Sequence, residues 1–229
     1  MTSAALAGST GLVGGNILST LLTRPTIDTL YAFARRDLPN SNTASKLHPL
    51  ISSDSGTWTS LYPHSTTLFI SALGTTRGQA GSFANQYKID HDLNLDLAKA
   101  AKAAGVRTYV LISTSGANSK SWFPYMKMKG ELEDEVKDLG FDHCVIVRPG
   151  LIVGDRNDSR PPEFVFRKVA NACGALSSGL KDFWAQDATV IARAAVAAGL
   201  TCEEGKREKG VWTLSQADVL RLGRQEWKE

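Results

Sequence analysis

Tyr125 and Lys129 stand four residues apart at the start of a helix-like stretch, so their side chains share one helix face. A phenol beside an ammonium can donate a proton to a carbonyl oxygen or take one from an alcohol. The lysine would lower the tyrosine pKa and hold a nicotinamide ribose. Ser113 and Thr114 close the preceding strand-like run, where a hydroxyl could orient the substrate oxygen. Ser113 is favoured because it lies twelve residues before the tyrosine, but Ser113-Thr114-Ser115 leaves the choice open. A Tyr-x-x-x-Lys pair arises easily by chance, so its meaning depends on its surroundings.

Those surroundings begin at the N-terminus. Ala7-Gly-Ser-Thr-Gly-Leu-Val-Gly-Gly15 places Gly8, Gly11 and Gly14 between an apolar run and a helical pattern. In such a loop the first glycine permits the tight turn and the second lets backbone approach a pyrophosphate. The third allows close helix–strand packing, and the helix N-terminus offers free amides to phosphate. At the end of the second strand the chain reads Ala34-Arg35-Arg36, where a carboxylate would bind the ribose of NAD. A guanidinium instead suits a 2′-phosphate, which predicts NADP(H). Solvated surface arginines are the alternative reading. Asp54, after a weak third strand, could accept a bond from the adenine amino group or be a surface carboxylate.

The elements that would position these residues alternate in type. Strands are predicted at Ser3–Ala7, Leu30–Ala34, Pro49–Ser53 (weakly), Thr67–Ala72, Arg107–Ser113 and His143–Val147. Between them come helices at Leu12–Leu22, Thr57–Tyr62, Gln79–Ala104 and Trp122–Leu139. Pro25 stops the first helix, and Gly105 and Gly140 close the last two. After Arg148-Pro149-Gly150 the alternation weakens, with helices expected at Glu163–Ala172 and Asp187–Gly199 and a late strand at Val211–Leu214. The pattern predicts an α/β fold, a Rossmann-type doubly wound parallel sheet with helices on both faces. It reads as a single domain over 1–229, its C-terminal third (about 150–229) shaping the substrate pocket.

Composition narrows the function classes. The 229 residues are 42% hydrophobic and 21% charged with a net charge of +3, as expected of a folded globular chain. No arginine-rich stripe suggests nucleic acid as a ligand. Cys144, Cys173 and Cys202 form neither a metal-ligand spacing nor a disulfide framework and read as small buried hydrophobes. No apolar run approaches a bilayer span, and with a strand beginning at Ser3 no cleavable presequence is expected.

The segments GSTGLVGG, ALGTTRGQAG (Ala72–Gly81), LISTSGA with YMKMKGELE, and RPGLIVGDR together resemble the atypical short-chain dehydrogenase/reductase group. Within it the similarity is to the subgroup joining the human Tat-interacting-protein oxidoreductase to fungal mitochondrial proteins, and it runs from about Ser3 to Lys168. The resemblance implies NADP(H) held by the whole loop Gly8, Ser9, Thr10, Gly11, Leu12, Val13 and Gly14, with Arg35 and Arg36. It also implies Leu73 and Gly74 along the cofactor, Pro149 near the nicotinamide, and Tyr125 and Lys129 as catalytic residues that also touch the cofactor. It further implies peripheral association with the cytosolic face of the mitochondrial outer membrane. The human relative's N-terminal extension is missing here, so partners attributed to that segment are not carried over.

His91 reads as a satisfied or exposed helix histidine, and Trp122 and Phe123 as substrate-site or core residues. The run Lys127–Lys137 reads as a solvated helix face with i,i+4 charge pairs. The leading expectation is an NADP(H)-dependent oxidoreductase acting on a small carbonyl or alcohol. The rival is an NADP(H)-binding interaction or sensor protein without fast turnover, because the C-terminal region shows no substrate motif. An isomerase or epimerase with tightly held cofactor is a third expectation.

Overall fold

The computed structural model describes residues 2–38, 45–153 and 185–228. Short apolar runs form a seven-stranded sheet with every pairing parallel: β1 (Thr2–Ala7), β2 (Ile27–Ala34), β3 (Leu47–Ile51), β4 (Leu68–Ser71), β5 (Thr108–Ile112), β6 (His143–Val147) and β9 (Gly210–Leu214). Their spatial order is β3-β2-β1-β4-β5-β6-β9, so the direction of winding reverses between β1 and β4. In open parallel sheets ligands sit outside the carboxyl ends of the strands at that reversal. The central strands β4, β5 and β6 are buried at every residue, which is why they read as continuous apolar runs rather than alternating ones.

One face is covered by α1 (Leu12–Thr23) and α6 (Ala188–Glu203), which pack together with Ile17, Leu21, Ile191 and Ala195 at full burial. The other carries α4 (Leu93–Ala103) and α5 (Pro124–Asp138) over Phe33, Phe69, Tyr109 and Ile146. A second, two-stranded parallel sheet pairs β7 (Leu151–Val153) with β8 (Ala185–Asp187). A short helix α7 (Gln216–Leu220) follows β9.

The helix expected over 79–104 is not continuous. Gly81, at φ +78°, ends a one-turn helix α2 (Arg77–Ala80), and Ser82 caps α3 (Phe83–Tyr87) by accepting from the Asn85 amide. A π-helical turn, Lys88–Asp92, then leads into α4. Such turns shift the helix face, and here both Asp90 and His91 become buried. The 57–62 segment is a 3₁₀ helix, Ser55–Leu61. The helix expected at Glu163–Ala172 and Cys173 lie outside the described residues. Cys144 and Cys202 are buried, and burial raises their thiols to about 12 and about 11. No described helix is long and apolar enough to cross a membrane.

Candidate functional site

Two hollows adjoin at the carboxyl edge of the sheet. The first, of about 540 Å³, is walled by the β1–α1 loop, the end of β2 and the segment after β4. Gly8 has φ +84°, and a Cβ there would lie 2.4 Å from the Ala72 carbonyl oxygen. A Cβ on Gly14 would lie 2.0 Å from the Gly8 carbonyl oxygen, so the helix can meet the loop only without a side chain. The loop is thereby pressed against both its own helix and the β4 exit, leaving a backbone cradle open outward.

Of the expected cofactor residues, Gly8, Thr10, Gly11, Leu12, Arg35, Arg36, Leu73 and Gly74 line this cleft. Arg35 and Arg36 are exposed, with no partner among the described residues. Ser9 and Val13 do not line it: the Ser9 hydroxyl is buried and donates to the Phe33 carbonyl at 2.9 Å, and Val13 packs in the core. Gly14 acts through the contact just described. Asp54 is exposed and caps the 3₁₀ helix, accepting from the Gly56 amide at 2.9 Å, whereas Ser55 and Trp58 line the cleft. A carboxylate one position before a helix start is the strongest acceptor available to the free amides there, which accounts for its place.

The second hollow, of about 1060 Å³, contains Tyr125, Ser113, Thr114 and Pro149. Thr75 lines the first hollow and Thr76 the second, so the segment after β4 is their shared wall. Pro124 at the first turn of α5 starts the helix with Tyr125 on the cavity side and Lys129 one turn on. Lys129 is 3% exposed, and its Nζ donates to the Ile112 carbonyl at 3.4 Å. Burial lowers the Lys129 pKa, with Asp90 and then Glu133 opposing. Tyr125 is pushed up to about 12, first by burial and then by the Asp90 charge. That is the reverse of the expected lowering by Lys129. The phenol feels the apolar interior and Asp90, while the Lys129 ammonium is turned to a carbonyl.

Ser113 and Thr114 differ. The Ser113 hydroxyl is buried and donates to Glu133 Oε1 at 2.5 Å, so its proton is committed inward. Thr114 is half-buried, and its hydroxyl has only a 3.5 Å contact to the Ser115 carbonyl. Glu133 is fully buried and also receives the Arg148 guanidinium, with Nε at 3.0 Å from Oε1. A buried carboxylate with a bidentate arginine and a hydroxyl is well satisfied, and the pair fixes the end of β6 against α5.

Two carboxylates were not foreseen. Glu133 falls in the Lys127–Lys137 run expected to be solvated, but Lys129, Glu133 and Val136 are buried and only the opposite side of α5 is wet. Asp90 is 2% exposed, accepts from the Thr75 amide at 2.7 Å, and is raised to about 6 by burial, with Lys129 and the Thr75 amide opposing. It thus anchors the wall shared by the two hollows. His91 is buried, stacked on Tyr87, with Nδ1 3.0 Å from Asp92 and Nε2 3.2 Å from Glu135. Trp122 and Phe123 are 98% and 74% exposed, so neither is a core residue.

Residues 57–173 match the HIM1 family model. The mitochondrial protein fmp52 of Aspergillus clavatus is 50% identical over 231 residues, covering 97% of this chain and 99% of that protein. Its Neurospora crassa counterpart fmp-52 is 48% identical, covering 100% of this chain and 98% of its own. Among solved structures, MoeE5 in complex with UDP-glucose and NAD superposes with a TM-score of 0.66 at 14% identity, over 98% of this chain and 81% of that one. The Bordetella bronchiseptica enzyme WbmH in complex with NAD+ does so with a TM-score of 0.65 at 17% identity, over 94% and 75%. At such identities the likeness is one of fold.

Proposed function

From the premise that this chain belongs to the HIM1 family and is an atypical short-chain dehydrogenase/reductase like the fungal fmp52 proteins, we propose an NADP(H)-dependent oxidoreductase acting on a small carbonyl or alcohol. The observation that carries this reading is the adjacency of a glycine-loop cleft and a Tyr125 cavity across one shared wall. The cleft beside Gly8 and Gly11, at the start of α1, suits a pyrophosphate, while Gly8 and Gly14 let the loop pack tightly against Ala72 and its own helix. Arg35 and Arg36 take the 2′-phosphate, which selects NADP(H) over NAD. Leu73 and Gly74 flank the cofactor and Pro149 borders its nicotinamide end, while Lys129, buried against the Ile112 carbonyl, would have to turn to reach the ribose.

When bound, the reduced nicotinamide supplies the hydride to the carbonyl carbon. The chain's own residues do the rest. Tyr125, protonated at neutral pH, donates its proton to the carbonyl oxygen. Thr114, rather than the committed Ser113, orients that oxygen. Glu133 and Arg148 hold the end of β6 against α5 behind it. In the alcohol direction the same groups work in reverse. We read the chain as a single domain over 1–229 whose part from about 150 onward shapes the pocket, a reading supported by Gly150, Leu151, Ile152, Gln216, Ala217 and Leu220 in the lining.

The test is turnover of a carbonyl panel followed by NADPH absorbance, with calorimetric titration of NADPH and NADH alongside. Tyr125→Phe loses turnover by about 10²–10⁴-fold while NADPH affinity stays nearly the same. Equal turnover in the variant sinks the mechanism, and failure to bind either nucleotide sinks the whole reading. A second reading, an NADP(H)-dependent interaction protein, is favoured by the commitment of Ser113 to Glu133. Partner capture that changes with NADPH, in the absence of any turnover, would support it. As to place, the relatives' name supports a mitochondrial site, and we propose peripheral association with the cytosolic face of the outer membrane. Protease treatment and carbonate extraction of intact mitochondria test that.

A further inference from the structure

The cavity in front of Tyr125 has a mixed lining. Hydroxyls of Thr76, Ser113, Thr114, Ser115 and Tyr125 and the Gln216 amide share it with the apolar side chains of Met126, Leu151, Ile152 and Leu220. Leu151 and Ile152 are 47% and 38% exposed, held open on β7. Among the described residues, five of the eight large hydrophobics left exposed are Trp122, Phe123, Tyr125, Leu151 and Ile152, in or next to this cavity. Apolar side chains concentrated in one place on a soluble surface mark a binding region rather than the usual scatter.

We propose that this cavity takes an apolar, uncharged carbonyl compound or its alcohol, with the oxygen at Tyr125 and Thr114 and the hydrocarbon body against Leu151, Ile152 and Leu220. The proposal rests on the oxidoreductase reading above and narrows it to a substrate class. A diphosphate or carboxylate placed there would surrender its hydration with no lysine, arginine or histidine among the described lining residues to replace it. A hydrocarbon body gains free energy in proportion to the apolar area it removes from water. The volume, about 1060 Å³, leaves room for more than a two-carbon head.

The experiment titrates the full chain, saturated with NADP+, with straight-chain primary alcohols from butan-1-ol to decan-1-ol by calorimetry. The matching aldehydes are assayed with NADPH. Affinity should rise about fourfold per added methylene, the equivalent of about 0.8 kcal/mol, until the cavity is filled. Leu151→Gln and Ile152→Gln, which change exposed side chains, should flatten that slope and leave NADPH affinity unchanged. Affinity independent of chain length, no binding of any alcohol, or displacement of the alcohols by UDP-glucose overturns the proposal. Length-dependent binding with no turnover keeps the apolar class and removes the oxidoreductase reading. Turnover without length dependence does the opposite.

Discussion

The cleft around Gly8 and the cavity around Tyr125 lie side by side, sharing the wall at Thr75 and Thr76, and they differ in what walls them. The cleft is drawn from the first 93 residues: the β1–α1 loop, the end of β2, Ser55 and Trp58, the exit of β4, and Gln79, Ile89 and Leu93. Its shape is dictated by what is missing, the Cβ atoms at Gly8 and Gly14. The cavity is chiefly side chain and sequence-distant, gathered from β5, α5, the turn after β6, β7 and α7. Backbone cradles suit a ligand common to many proteins, whereas side-chain walls can be altered one at a time. The comparison therefore predicts that the cleft is brittle and the cavity adjustable.

Four sets of substitutions test that contrast. Gly14→Ala should have the largest effect, because its methyl group would overlap the Gly8 carbonyl and neither backbone can move freely. A loss of about 3 kcal/mol in urea unfolding, with loss of NADPH binding, is expected. A fully stable, binding-competent variant would show that the loop is not the rigid part.

Asp90→Asn probes the shared wall. The folded carboxyl sits at about 6, above its ordinary 3.8, so the native state binds the extra proton. The contribution of Asp90 to stability is therefore fully present below pH 4 and is lost as pH rises from about 4 to 6. The variant, which cannot ionise there, should be more stable than wild type by about 2–3 kcal/mol above pH 6 and not below pH 4. Denaturation at several pH values checks this, and a pH-independent difference would contradict it.

Arg35→Ala with Arg36→Ala should cost about 2 kcal/mol of NADPH affinity and leave NADH affinity unchanged, since only the 2′-phosphate contacts are removed. Calorimetry at fixed salt reads this directly, and equal losses for both nucleotides would assign the pair to a general charge effect. Smallest is Asp54→Ala. Loss of the cap at Gly56 should cost about 1 kcal/mol of stability and leave nucleotide affinity within twofold. A large loss of NADPH affinity would return Asp54 to the adenine.

The same contrast explains what could be read from the sequence. The glycine loop, the Arg35-Arg36 position and β6 at His143–Val147 were legible because each depends on neighbours within a few residues. Glu133 was not, because its partners Ser113 and Arg148 lie 20 and 15 residues away on other elements. Surrounded by i,i+4 charges, it has the local signature of a wet helix face. Asp90 was hidden by the π-helical turn, since a regular helix pattern over 79–104 has no way to register the shift that buries it. β7 and β8, three residues each, are too short for any periodicity to mark.

The pairing of β9 with β6 at the end of the sheet has a consequence during synthesis. Every backbone group that cradles the first hollow lies within the first 93 residues, whereas the second also needs Gln216, Ala217 and Leu220, which follow β9. On a ribosome emitting the chain from its N-terminus, the residues of the first hollow emerge well before those that complete the second. Yet α1, which opens from the glycine loop, packs on α6 (Ala188–Glu203), so both hollows await the same late segment before taking their final form.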